Sequence, residues 1–170
     1  TAACCSGETC TLLTFLECNA AGGTTIDQWL PPGDIDELAK EYPGIEEMYA
    51  KKQVRENSAK KAIPYLGGLY LTRTEPLAAL PIRGCLWYQG EFNNRPGQAH
   101  DYRYWQPVLI DGWRKDWAQE NLPFLFVQMQ VLGNATTPLL RESQMKTLEQ
   151  CSQTAMVVIC DESAGLHPPS

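Results

Sequence analysis

Pro81-Ile-Arg-Gly-Cys-Leu-Trp-Tyr-Gln-Gly-Glu91 is the stretch from which the fold can be read. Ile82 to Tyr88 is apolar enough for a buried strand, and the chain turns polar immediately after it, at Gln89 and Glu91. A short, nearly continuous apolar run of this kind suits a strand covered on both faces, as in parallel sheets. Working outward, Thr11 to Glu17, Phe124 to Met129 and Ala155 to Cys160 read as further strands. Between the second and third, Tyr102, Trp105, Leu109, Trp113 and Trp117 recur every three or four residues, which predicts a core-facing helix kinked at Pro107. Pro138 to Glu149 predicts another helix, Asp34 can cap a short one, and Ile45 to Lys61 reads as a charged, solvated one. Pro31-Pro32-Gly33 and Pro96-Gly97 read as loops, and Ala20 to Gly23 as a tight turn. Strands alternating with helices predict an α/β fold: a three-layer α/β/α domain on a mostly parallel sheet, with residues 1–170 forming one domain.

Ligands of open parallel sheets lie beyond the carboxyl ends of the strands. Gly22 and Gly23, Gln89 and Glu91, Gln128 and Gln130, and Asp161 all fall there. Paired glycines leave backbone N–H groups open to an oxyanion, and a glutamine amide adds a neutral donor. A tight turn and a loop anchor explain the same residues equally well. The sequence holds two histidines. His167 follows the last strand in a loop that also carries Asp161, a carboxylate able to hold the imidazole in the tautomer that accepts a proton. A loop histidine is more often inert, and that reading is stronger for His100 beside Asp101. Glu91, after Trp87 and Tyr88, needs a partner if buried, and Arg114 is the expected one, in a structural pair in preference to a catalytic Glu91.

Composition excludes several classes. A formal net charge of -6 lacks the basic excess that draws nucleic acid or an anionic membrane surface. The apolar runs fall well short of the roughly 20 residues needed to span a bilayer. Seven cysteines include no C-x-x-C pair, so neither a zinc site nor a dithiol redox centre is expected; four of them crowd the start, at Cys4, Cys5, Cys10 and Cys18, where a disulfide cannot be assigned. Cys85, Cys151 and Cys160 read as small buried hydrophobes.

Trp87-Tyr-Gln-Gly-Glu91, preceded by Pro81-Ile-Arg-Gly84 and followed by Asn93, resembles the WYQGE-N block of sialate O-acetylesterase-like SGNH hydrolases. Gly22-Gly-Thr-Thr-Ile-Asp-Gln-Trp29 is similar to that family's GGT stretch. Leu109-Ile-Asp-Gly-Trp-Arg114, Leu122-Pro-Phe-Leu-Phe-Val-Gln128, Leu140-Arg-Glu-Ser-Gln144 and His167-Pro168 follow in the family's order. The resemblance spans nearly everything from Leu12 onward. It implies an SGNH-type α/β/α fold and hydrolysis of acetyl esters on sugars through a Ser–His acyl-enzyme, without metal or organic cofactor. Carried over by position, His167 is the base, Gly22 and Gly23 give backbone N–H groups, Gln89 completes the oxyanion hole, and Glu91, Asn93 and Arg114 support the site or face substrate.

The sequence also departs from the pattern. No GQSNM-like nucleophile block occurs; Ser6 precedes the first readable strand, and Ser163 has the wrong flanks. Ala164 and Gly165 stand where the triad acid is usual, which leaves Asp161 as the candidate acid and Glu162 as a weaker one. Leu71 and Phe92 replace the family's usual Asn and Ser. The expectation is a partial domain, incomplete at both ends, whose nucleophile lies upstream in a complementary segment. A catalytically inactive carbohydrate- or partner-binding remnant is the alternative. An O-acetylated sugar is the expected ligand, and the periplasm or the cell exterior the expected compartment.

Overall fold

The computed structural model describes residues 2–6, 9–13, 24–42, 44–47, 66–131 and 133–159. Two antiparallel strands, β1 (Ala2–Ser6) and β2 (Thr9–Leu13), form a hairpin with Ser6 opposite Thr9. Ser6 therefore closes a strand and does not precede the first one. Of the strand expected over Thr11 to Glu17, the first part lies in β2, and 14–17 fall outside the described residues. The turn at Ala20 to Gly23 also falls outside them, as does the charged helix beyond a helical turn at 44–47.

The centre of the molecule is a parallel sheet in the order β3 (Cys85–Trp87), β4 (Phe124–Val127), β5 (Thr154–Val157). The α/β class and the parallel pairing read from the sequence are both present. Helix α1 (Pro32–Glu41) comes before the sheet, α2 (Gln98–Asp116) joins β3 to β4, and α3 (Thr137–Gln150) joins β4 to β5. Pro32 begins α1 where a loop was expected, because a proline at the first helical position loses no intrahelical hydrogen bond. Asp34 accordingly sits inside the first turn, with Pro31 as the capping position.

Alternation in the strands sorts their side chains. Cys85, Trp87, Phe124 and Phe126 are at most 3% exposed, whereas Leu86, Leu125 and Val157 are 41%, 46% and 53% exposed. Among the described residues the helices thus cover one face of the sheet. The stripe expected on α2 is buried along its whole length, from Tyr102 to Trp117, with Pro107 inside the helix. Trp87 meets Trp29 and Trp113 edge-on, with ring centroids 6.0 and 5.7 Å apart, and Trp113 packs on Phe124 at 5.8 Å. Each buried indole N–H in this group finds an acceptor: Trp113 donates to the Trp29 carbonyl at 3.0 Å and Trp29 to Thr24 Oγ1 at 3.0 Å. Segment 24–30 is thereby pinned beside β3. Glycine at position 112 suits the close packing of α1 on α2, since a Cβ there would meet the Asp34 carboxylate and the Pro31 ring and one of them would have to shift.

Arg114 does not pair with Glu91. Its guanidinium donates to the Leu122 carbonyl at 3.2 Å and the Ser152 carbonyl at 2.6 Å, with Asp111 a looser partner at 3.7 Å. Leu122 and Ser152 lead into β4 and β5, so Arg114 ties the end of α2 to the amino edge of the sheet, opposite the edge that carries Gln89 and Glu91. Losing a charged donor that satisfies two carbonyls costs about 2–4 kcal/mol. Arg114→Leu is expected to lower the unfolding free energy of the full-length protein by that amount in urea titration, with KM unchanged. A raised KM without loss of stability would place Arg114 at the substrate instead.

Candidate active site

Among the described residues, the carboxyl edge of the sheet is built from neighbouring segments 24–26, 88–95 after β3, and 128–131 with 133–137 after β4. Gln89 is only 8% exposed, and its amide is fully engaged. Nε2 donates to the Thr24 carbonyl at 2.6 Å and to Asn93 Oδ1 at 2.8 Å, while Oε1 accepts from the Tyr102 hydroxyl at 3.0 Å. Asn93, 2% exposed, also accepts from the Ile26 backbone N–H at 2.9 Å. A primary amide has two N–H donors, and here one goes to each partner. Direct donation to a reacting oxygen therefore requires Gln89 to share or release one of these bonds. The role the geometry gives it first is to hold segment 24–26 against the loop after β3.

Asn94 makes the corresponding connection on the other side. Its Nδ2 donates to Thr137 Oγ1 at 2.9 Å, and its Oδ1 accepts from Thr136 Oγ1 at 2.7 Å. Asn134 Oδ1 in turn accepts from the Thr137 N–H at 2.9 Å and the Thr137 hydroxyl at 2.7 Å, closing the start of α3. Two consecutive asparagines thus fasten the central loop to both neighbours. Their buried amides signal this in sequence only through the pairing of Asn93 with Asn94 after a strand, a cue open to many readings.

The Leu140-Arg-Glu-Ser-Gln144 block has a structural task visible here. Gln144 Oε1 accepts from the Met129 N–H at 2.7 Å and its Nε2 donates to the Val127 carbonyl at 3.2 Å; Arg141 donates to the Met129 carbonyl. Gln128 Nε2 returns a bond to the Arg141 carbonyl at 3.2 Å. The backbone leaving β4 is held by side chains of α3, so Gln128 and Gln130 stay at the rim, 3% and 8% exposed.

Glu91 opens a short 3-10 turn, Glu91–Asn93, at the same edge. Its Oε1 is buried without a hydrogen-bond partner among the described residues. The Tyr102 phenol is raised well above its ordinary range by complete burial, which outweighs the opposing Trp87 hydrogen bond, and the Glu91 charge adds to the shift. Its hydroxyl therefore remains a proton donor throughout neutral and mildly alkaline pH. Burial first and Glu91 second raise Tyr88 likewise. His100 lies exposed, 3.1 Å from Asp101.

Of the expected site residues, Gln89, Glu91 and Asn93 come together at the rim, and Arg114 does not. Gly22, Gly23, Asp161 and His167 lie outside the described residues, as does Ser163. Thr24 directly follows the glycines, and Val157 ends β5 at the same carboxyl edge, with Ile159 the last described residue before the histidine segment.

An open parallel sheet with a hydrogen-bonded polar rim at its carboxyl edge defines the chain as an α/β domain of the kind that places ligands beyond its strands. The family of carbohydrate esterases described as sialic acid-specific acetylesterases matches residues 7–167, and the chain belongs to it. A carbohydrate acetylesterase from Xanthomonas citri has a similar structure: TM-score 0.65 and 29% identity over 90% of this chain and 35% of that one. The chain thus spans about a third of that protein's length. A search of curated sequences returned no match.

Because Gln144 serves the buried Met129 N–H and the part-buried Val127 carbonyl, its replacement leaves the N–H without this acceptor, a loss of about 1–3 kcal/mol. Gln144→Leu is expected to lower the melting temperature and to speed hydrogen exchange at the Met129 amide above that of the rest of the sheet. Unchanged exchange there would mean that the loop holds itself.

Proposed function

We propose that this chain supplies the base and oxyanion side of a carbohydrate O-acetylesterase. One observation carries the reading furthest: segment 24–26, which follows Gly22 and Gly23, is bonded through Gln89 and Asn93 to the loop after β3, at the carboxyl edge where β5, the last strand before the histidine segment in sequence, also ends. In this reading a serine hydroxyl from outside the chain attacks the acetyl carbonyl, and His167 takes its proton. Asp161 orients the imidazole. Backbone N–H groups of Gly22 and Gly23 bind the oxyanion, each such donor contributing about 3–4 kcal/mol. The ester C–O bond then breaks, the leaving sugar oxygen takes from His167 the proton that came from the serine, and water releases acetate from the acetyl-serine. Glu91 and Asn93 lie in the short turn at the same edge and support the sugar side of the site.

The substrate is an acetylated sugar, and the compartment periplasmic or extracellular, in keeping with the family. Among the described residues no helix is long and apolar enough to cross a membrane. The missing nucleophile implies a complementary upstream segment, with 1–170 as one partial domain.

Acetate release from p-nitrophenyl acetate and from an O-acetylated sugar, by this chain and by a form extended upstream, tests the proposal. The extended form is expected to turn over and to lose about 10³-fold or more in kcat with His167→Ala. If neither form has activity that depends on His167, the esterase reading fails, and binding of the unreacted acetylated sugar would then support a carbohydrate-binding remnant.

A further inference from the structure

Four groups on three segments form one directed chain of hydrogen bonds from the core to the rim. The Trp87 indole N–H donates to the Tyr102 hydroxyl oxygen at 3.1 Å, that hydroxyl donates to Gln89 Oε1 at 3.0 Å, and Gln89 Nε2 donates to the Thr24 carbonyl at 2.6 Å. The direction is not arbitrary. An indole N–H can only donate, so the Tyr102 oxygen must accept there and point its single hydrogen toward Gln89. At Gln89 that hydrogen has two acceptors within reach, Oε1 and the backbone carbonyl at 3.2 Å. With Oε1 turned to Tyr102, Nε2 is left facing two acceptors, Thr24 O and Asn93 Oδ1. The opposite orientation of the amide would set Oε1 against both of those oxygens. Asn93 Oδ1 is itself identified as the oxygen because it accepts the Ile26 backbone N–H.

We propose that Tyr102 is a positioning residue for ester hydrolysis: its hydroxyl sets the orientation of the Gln89 amide, and through Gln89 it fixes the backbone at Thr24, beside the glycines assigned to the oxyanion hole. Tyr102 touches neither substrate nor reacting atoms. Its ring is completely buried one turn inside α2, where an apolar aromatic would pack as well, so the hydroxyl accounts for the choice of tyrosine at that place. The inference rests on the esterase reading above and adds to it that Gln89 serves the hole by orienting it. Misplacement of catalytic groups by about 1 Å can cost about 10²-fold in rate.

The test is a double-mutant cycle in the full-length protein with an O-acetylated sugar, with Tyr102→Phe and Gln89→Ala made singly and together, and with His167→Ala as the control for the reaction itself. Tyr102→Phe is expected to lower kcat about 10-fold or more while KM stays within about twofold. In the Gln89→Ala background the same change is expected to alter kcat by less than about twofold, because the hydroxyl acts only through the amide. An equal loss in both backgrounds would make Tyr102 a packing residue and overturn the inference while leaving the esterase reading in place. A wild type without His167-dependent turnover would overturn both. If Tyr102→Phe does not fold, side-chain amide NMR of Gln89 in the wild type decides: both protons protected from exchange supports the arrangement, and one proton exchanging freely, open to the cleft, overturns it.

Discussion

A primary amide buried at the end of a strand must satisfy two donors and an acceptor, and the rim of this domain is arranged around that requirement at Gln89. Water is too scarce at 8% exposure to do it. The acceptor needs a hydroxyl from below, which Tyr102 supplies, and the donors need two oxygens from the side, which Thr24 and Asn93 supply. Once those are in place, segment 24–26 has little freedom to move away from β3. The aromatic packing of Trp29 on Trp87 and of Trp87 on Trp113 provides the apolar half of the same attachment. Polar and apolar contacts thus fix one segment in one position, the condition for a preorganised oxyanion site.

The remainder of the rim extends this pattern outward. Asn94 passes the connection to the start of α3, and α3 passes it through Gln144 and Arg141 to the backbone after β4. Every bond in the series joins residues far apart in sequence, so the rim forms only when β3, β4 and their two crossover helices are assembled. Arg114 does the equivalent at the opposite edge, joining α2 to the approaches to β4 and β5. Helix α2 is in this sense held at both ends, through Tyr102 near its start and Arg114 near its end.

What could be read in the sequence was what rests on local pattern. Short apolar runs marked β3, β4 and β5, and the spacing of Tyr102 to Trp117 marked α2, because burial on one face imposes a period that survives any tertiary detail. The Glu91–Arg114 pairing failed for a geometric reason. Arg114 lies 16 residues after Gln98, and a helix of that length carries it about 24 Å from the rim where α2 starts. Charge complementarity suggested a partner that helix length forbids, and the length was itself legible. Pro31-Pro32-Gly33 misled differently, since proline both breaks helices and begins them. Tyr102 was hidden within an apolar stripe: its role depends on the hydroxyl, and a hydrophobic period does not register a hydroxyl. The family blocks located Gln89, Glu91 and Asn93, whereas what those residues bond to needed three dimensions.

The central claim is that the edge defined by Thr24, Gln89 and Asn93 is where the acyl group is held. A crystal structure of the full-length protein after reaction with an alkyl fluorophosphonate addresses it most directly. The account expects a phosphonylated serine at that edge, with the phosphoryl oxygen within hydrogen-bond distance of backbone N–H groups at Gly22 or Gly23 and His167 beside the ester oxygen. An adduct at another edge of the sheet, or a phosphoryl oxygen facing away from segment 22–24, would contradict it.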